Sequence, residues 1–161
     1  TLEFAFGGKK PRQEVCIGEA ELRAAYDYLN YHTTDRGDMV YLGCPHLNLV
    51  DLMLLARRFQ GKRVKVPCWV MTAPWLYYAA RDMGYVDILA QAGVTLMSGA
   101  CLAAMGAVPQ GVECIAVDTA KQANYVTGCY PDPDEKLQVC YGTTDECVDA
   151  ALTGRWRGEW R

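Results

Sequence analysis

The chain has 161 residues, of which 51% are hydrophobic and 22% are charged, and its formal net charge is −3. This length and hydrophobic content are typical of a globular domain with a real core and exclude a disordered chain. The sequence has no block of basic residues, no apolar run long enough to span a bilayer and no signal peptide, so nucleic-acid and membrane partners are not expected.

Strand-like and helix-like runs alternate along the chain, judged from the spacing of apolar residues and from turn and capping residues. The first helix begins with acidic residues and the third ends at Gly84. In chain order we predict a helix over 17–32, a strand over 39–43, a helix over 48–59, a strand over 64–72, helices over 74–82 and 85–92, a strand over 94–97, a strand over 113–117, a helix after Asp118-Thr119 through Tyr125, a loop over 128–136, a strand over 137–141, a helix over 145–152 capped by Thr143 or Thr144, and a tail over 155–161.

This alternation predicts an α/β fold with three α/β/α layers, a mainly parallel sheet of about five strands and a single domain over 1–161. Pro67 falls inside the second predicted strand, which is typical of a strand near a sheet edge. No G-x-G-x-x-G motif follows a strand, so a Rossmann-like cofactor binder is disfavoured.

Eight cysteines are many for this length. A small secreted scaffold would pair them as disulfides, but this chain has enough apolar residues to form a core without them. Cys68, Cys114 and Cys140 lie in apolar, strand-like runs, where free cysteine acts as a small hydrophobic residue. We therefore predict free thiols and a reducing compartment, the cytoplasm.

Polar and thiol-bearing residues follow the predicted strands, and the loops after parallel strands meet at one edge of a sheet. Three thiolates at such an edge would suit a metal or an iron–sulfur cluster with one open position. The alternatives are simple packing for each cysteine, a structural role for His46 and an exposed helix position for Lys121. The residues concerned are Cys44, His46, Ser98, Cys101, Thr119, Lys121 and Cys147.

Several of these residues belong to longer motifs. The motifs are GCPHL at 43–47, SGAC at 98–101, DTAKQANY at 118–125, GTTDEC at 142–147 and AALTGRW at 150–156. In this order they resemble the catalytic (large) subunit of aconitase X, a branch of the aconitase superfamily. The resemblance spans roughly residues 15 to 156 and covers only the C-terminal part of that subunit.

The resemblance implies a hydro-lyase that removes water from a small hydroxy acid such as cis-3-hydroxy-L-proline or phosphomevalonate. It implies an iron–sulfur cluster or iron held by Cys44, Cys101 and Cys147, with the iron acting on the leaving hydroxyl. It also implies that four further residues orient the substrate or move protons: His46, Ser98, Thr119 and Lys121.

The same resemblance implies two partners that this chain lacks, the N-terminal part of the large subunit and the small subunit. We therefore expect the chain to be a fragment of a larger catalytic subunit, inactive without those regions. The alternative is a non-catalytic fragment or binding module that retains the aconitase-like fold.

Overall fold

The computed structural model describes residues 1–106, 108–126 and 137–160. Helices and strands alternate over most of this length, as the sequence predicts. The elements are α1 (Leu2–Phe6), α2 (Glu19–Leu29), β1 (Met39–Leu47), α3 (Leu49–Phe59), β2 (Cys68–Thr72), α4 (Pro74–Asp82), α5 (Tyr85–Gln91), β3 (Val94–Ser98), α6 (Leu102–Met105), β4 (Cys114–Val117), α7 (Ala120–Val126), β5 (Gln138–Tyr141) and α8 (Thr144–Thr153).

The five strands form one parallel sheet in the order β3-β2-β1-β4-β5, which confirms the predicted α/β/α architecture. The second strand lies near an edge, as expected, but it is not an edge strand, because β2 lies between β1 and the edge strand β3. Pro67 precedes the strand instead of interrupting it, so its missing N–H removes no ladder hydrogen bond. Its carbonyl accepts a hydrogen bond from Val40 N–H at 2.9 Å.

Side chains alternate between the two faces of β1, and each face packs against its own helices. Val40 and Leu42 face a core that includes buried residues of α3, α5 and α8. Met39 and Tyr41 face a second core that includes buried residues of α6 and α7. Both faces of the sheet are therefore covered.

The chain reverses direction across the sheet between β1 and β4. It leaves β1 toward β2 and β3, returns through α6 to β4 and continues to β5. In open α/β sheets, ligands bind outside the carboxyl ends of the strands at such a switch point. This topology places the residues that follow β1 and β4 side by side at the candidate site.

Several local details differ from the sequence-based prediction. The first predicted helix is shorter than expected, and α1 and α6 were not predicted. The four residues of α6 are too few to show helical periodicity. Thr143 is the N-cap of α8, with its side chain accepting from Glu146 N–H. The predicted loop over 128–136 lies outside the described residues.

All seven cysteines in the described ranges are free thiols, and Cys68, Cys114 and Cys140 are buried as their apolar strand-like runs predict. Within the same ranges, no helix is both long enough and apolar enough to cross a membrane.

Candidate functional site

The carboxyl end of β1 carries a bulge that contains the GCPH segment, in which Gly43 and Cys44 are buried and Pro45 and His46 are exposed. Between Leu42 and Leu47, β1 advances five residues, whereas β2 advances only two beside it, from Val70 to Thr72. The extra residues of β1 leave the ladder at its carboxyl edge, which is where open α/β sheets bind ligands. The buried Thr72 closes the bulge because its hydroxyl donates to the Leu47 carbonyl at 2.8 Å.

Gly43 begins the bulge and is required there by two independent constraints. Its φ is +104°, a region that L side chains rarely adopt. A Cβ atom at this position would also lie directly against the Met71 carbonyl oxygen and 2.8 Å from the Met71 amide nitrogen. The close approach of β2 therefore leaves no room for a side chain immediately before Cys44.

Thr119 ties the bulge to the end of β4. Its hydroxyl donates to the Cys44 carbonyl at 2.7 Å and accepts from Gln122 N–H at 3.2 Å. The second contact caps α7, and the first holds the backbone of the thiol-bearing residue across the switch point. The structure thus gives this sequence-predicted residue a clear positioning contact.

We expect Thr119→Val to destabilise the fold by about 1–2 kcal/mol, because one shape-conserving change removes both hydrogen bonds. Urea denaturation followed by tryptophan fluorescence measures this change. The matched control is Thr95→Val, at an exposed position in the middle of β3. An equal, small effect of the two substitutions would contradict the contact described for Thr119.

Cys44 and Cys101 lie on the same side of the sheet, with Cys101 close enough to affect the Cys44 thiol. Cys44 is buried, whereas Cys101 is half-buried at the N-cap of α6. Burial raises the pKa of the Cys44 thiol, the Lys121 charge lowers it, and the neighbouring Cys101 and Asp118 raise it further. Burial outweighs the lysine, so the Cys44 thiol stays protonated at neutral pH in the absence of another cation.

His46 connects the first thiol segment to the second. It is exposed at the crevice, and its Nε2 donates to the Ala100 carbonyl at 2.8 Å. A carbonyl oxygen cannot donate, so Nε2 carries a proton, and Nδ1 is the ring nitrogen that can accept when the ring carries a single proton. This contact orients the imidazole and holds the loop that leads into Cys101.

Asp118 lies beneath the crevice and accepts a hydrogen bond from the Thr144 hydroxyl at 2.9 Å. Burial raises the pKa of the Asp118 carboxyl above its ordinary value of 3.8, the Thr144 hydrogen bond opposes that shift, and the charge of Asp51 adds to it. A carboxyl with a raised pKa in a cleft is a candidate proton-transfer group. The cleft has a volume of about 440 Å³, and its polar lining includes His46, Asp51, Arg58, Asp118, Thr119 and Thr144.

We expect Asp118→Asn to stabilise the fold at pH 7 and to lose this advantage as the pH falls. A raised folded-state pKa means that the folded protein binds the proton more tightly than the unfolded chain does. The Asp118 contribution is therefore fully present below the unfolded pKa and is lost as the pH rises through the folded pKa. Urea denaturation of both proteins from pH 7 to pH 4 measures the difference, and a difference independent of pH would contradict the shift.

Ser98 and Lys121 occupy the periphery of this site. Ser98 is the exposed last residue of β3, in register with Thr72 of β2. Lys121 is exposed in the first turn of α7, close enough to the Cys44 thiol to affect its pKa. Both lie at the carboxyl edge of the sheet, in agreement with the predicted convergence of the strand-end loops.

Cys147 lies apart from the other two predicted thiol ligands. Its side chain is fully buried in the core on the α8 face of the sheet, and Cys44 belongs to the core on the opposite face. Burial raises the pKa of the Cys147 thiol well above its ordinary value. The structure therefore brings together Cys44 and Cys101 and leaves Cys147 among apolar neighbours.

The thiols of the described residues do not match the cluster that the resemblance implies. A cluster with one open iron needs three protein thiolates. Over 1–106, 108–126 and 137–160, no three His, Cys, Asp or Glu side chains form a group able to hold a metal ion. The described residues supply two neighbouring thiols and so do not by themselves fit the cluster. Cys129 lies outside those ranges.

Comparison with known proteins shows what this chain is similar to. The profile of the aconitase X third domain matches residues 37–153. The phosphomevalonate dehydratase large subunit of Methanothermobacter thermautotrophicus is 35% identical over 96 residues, which are 60% of this chain and 24% of that protein. The cis-3-hydroxy-L-proline dehydratase of Pseudomonas aeruginosa is 29% identical over 158 residues, which are 96% of this chain and 26% of that protein.

A solved structure shows the same fold. The holo form of Thermococcus kodakaraensis aconitase X superposes with a TM-score of 0.66 at 18% identity, covering 87% of this chain and 34% of that one. The chain thus spans about a quarter to a third of the length of the relatives it matches.

Proposed function

The chain belongs to the aconitase X family, in which it matches the third domain, and on this premise we propose that it forms one wall of a dehydratase active site. The observation that carries the proposal is the junction of β1 and β4. There the Cys44 backbone, the Thr119 hydroxyl and the raised-pKa carboxyl of Asp118 meet beside an open cleft. The substrate would be a small hydroxy acid, of the kind named for the phosphomevalonate and cis-3-hydroxy-L-proline dehydratases.

Three side chains of this chain would handle the substrate. The exposed Lys121 would bind an anionic group of the substrate. Nδ1 of His46 would accept a hydrogen bond, since Nε2 is engaged with Ala100. Asp118 would accept or return a proton, because its raised pKa brings it nearer to the working pH than an ordinary aspartate.

We propose that Cys44 and Cys101 contribute two of the ligands of an iron or iron–sulfur centre. Bound iron would act as a Lewis acid on the leaving hydroxyl. The remaining ligands would come from outside the described residues or, as the resemblance implies, from Cys147. Serine at position 98 would contact the substrate from the edge strand.

The site also requires partners in this proposal. Relatives are named as large subunits, which implies a small subunit, and the part of each that matches this chain is only about a quarter to a third of its length. We propose that the missing part of the large subunit and a small subunit cover the exposed side of the cleft, where His46 and Lys121 lie. The cytoplasmic location stays a prediction.

The second candidate is a binding module that keeps the fold without catalysis. The observation that favours it is the incomplete donor set, with two thiols together and the third buried elsewhere. A module of this kind would bind a small hydroxy acid in the cleft without changing it.

Assembly with the missing regions tests the proposal. The chain is purified anaerobically with a relative's N-terminal large-subunit segment and small subunit, iron and sulfide are added, and loss of water from phosphomevalonate and cis-3-hydroxy-L-proline is followed by NMR. We expect iron binding and dehydration only in the assembled complex. An assembled complex that binds a hydroxy acid without iron and without turnover would favour the binding module.

A further inference from the structure

Two side chains of β1 hold the residues on either side of Cys101. The Tyr41 hydroxyl oxygen accepts from Leu102 N–H at 3.2 Å, and His46 Nε2 donates to the Ala100 carbonyl at 2.8 Å. β1 is also the strand that carries Cys44. The residues on both sides of Cys101 are therefore hydrogen-bonded to β1, the strand that carries Cys44.

The segment around Cys101 contains only one short turn of helix. Cys101 is the N-cap of α6 but makes no side-chain capping hydrogen bond, and α6 has only four residues. A single helical turn is not stable alone, because it fixes many dihedral angles for few hydrogen bonds. The position of Cys101 thus depends on what the neighbouring elements contribute.

Tyr41 is suited to this role because it is itself rigid. It is 1% exposed and lies in the core between the sheet and α6, with its ring packed on the face that Leu102 also covers. A tyrosine buried this way has lost its side-chain freedom, so its hydroxyl marks a fixed point in the structure.

We propose that Tyr41 is a positioning residue that, together with His46, sets the separation and orientation of the Cys44 and Cys101 thiols. The role of that thiol pair in holding iron rests on the proposed function, whereas the clamp itself does not. Tyr41 would act through the Leu102 amide and would not touch the substrate.

Tyr41→Phe tests the clamp because it removes only the hydroxyl. The alkylation rate of each cysteine by iodoacetamide is measured in the full chain by mass spectrometry. Combined trypsin and Glu-C digestion isolates Cys101 in peptide 82–113 and Cys44 in a peptide of its own, 37–57. We expect the Cys101 rate to rise about fivefold, the population change that loss of one hydrogen bond produces.

Internal and matched controls separate local loosening from unfolding. General destabilisation would raise the rates of the buried Cys68 and Cys147 as well, whereas loss of the clamp leaves them unchanged. Tyr85→Phe, at a half-buried tyrosine packed on the opposite core, should change no rate. His46→Ala removes the contact with the Ala100 carbonyl at an exposed position that should not impair folding. It should raise the alkylation rate of Cys101 alone.

Two results would overturn the proposal. One is an unchanged Cys101 rate in Tyr41→Phe, whatever His46→Ala does, and the other is a rise shared equally by Cys101, Cys68 and Cys147. A selective rise at Cys101 combined with an assembled complex that shows no dehydration would uphold the clamp and reject the proposed function.

Discussion

Replacing Gly43 with alanine is expected to destabilise the protein by about 3 kcal/mol or more, from backbone strain and steric overlap together. Alanine would have to adopt a φ of +104° and place its Cβ against the backbone of Met71. The contacted atoms belong to a central strand and cannot rotate away. Relief of the overlap would separate β1 from β2 at the point where the GCPH bulge begins. Urea denaturation followed by circular dichroism measures the loss.

Gly61→Ala is the matched control for this prediction. Gly61 also has a positive φ, of +72°, but a Cβ there meets nothing within 4 Å. The Gly61→Ala substitution should lower the free energy of unfolding only by the strain of the left-handed conformation, about 1 kcal/mol. If the two variants lose similar stability, contact with Met71 is not what requires glycine at position 43.

The second large effect is expected in the proposed assembled complex, where Cys44→Ser or Cys101→Ser should lower the affinity for iron and the rate of dehydration at least about a hundredfold. Serine is nearly the size of cysteine but is a poor ligand for iron, and loss of a metal ligand costs more than loss of an outer contact, which already costs 10- to 100-fold. Iron analysis and NMR measurement of turnover on the same samples test both parts of this prediction.

The Cys147→Ser variant tests whether Cys147 is an iron ligand or only a residue of the apolar core. We expect this variant to lose about 1–3 kcal/mol of stability, because a hydroxyl replaces a thiol in an apolar core, and to keep its iron. Loss of iron from a folded Cys147→Ser variant would instead establish the third ligand that the resemblance implies. Full iron content in both Cys44→Ser and Cys101→Ser would leave the binding module as the better description.

Local patterns account for most of the secondary structure. Asn48 caps α3 and Thr143 caps α8 with the side-chain hydrogen bonds that such residues make in any helix. The strands follow from short apolar runs bounded by turns. Pro67 does not make β2 an edge strand, because it precedes the strand by one residue and so removes no hydrogen bond from the ladder.

The site was predicted less completely than the fold. The strand-end positions of Cys44, His46 and Thr119 could be inferred, because parallel strands bring their carboxyl ends to one edge. Tyr41 was missed because it reads as one more apolar residue of a buried strand. The hydrogen bond from Leu102 N–H to the Tyr41 hydroxyl becomes visible only in the tertiary structure.

The sequence by itself determined the family, the alternation of strands and helices, and the placement of thiols at strand ends, because these depend on residue type and local spacing. Only the tertiary structure decided which thiols meet. Cys147 lies in the first turn of α8, shortly after the end of β5, and so the sequence alone groups it with the other strand-end thiols. However, α8 packs on the opposite face of the sheet from α6. The face that a helix covers depends on the order in which the strands assemble, a long-range property that local spacing does not encode.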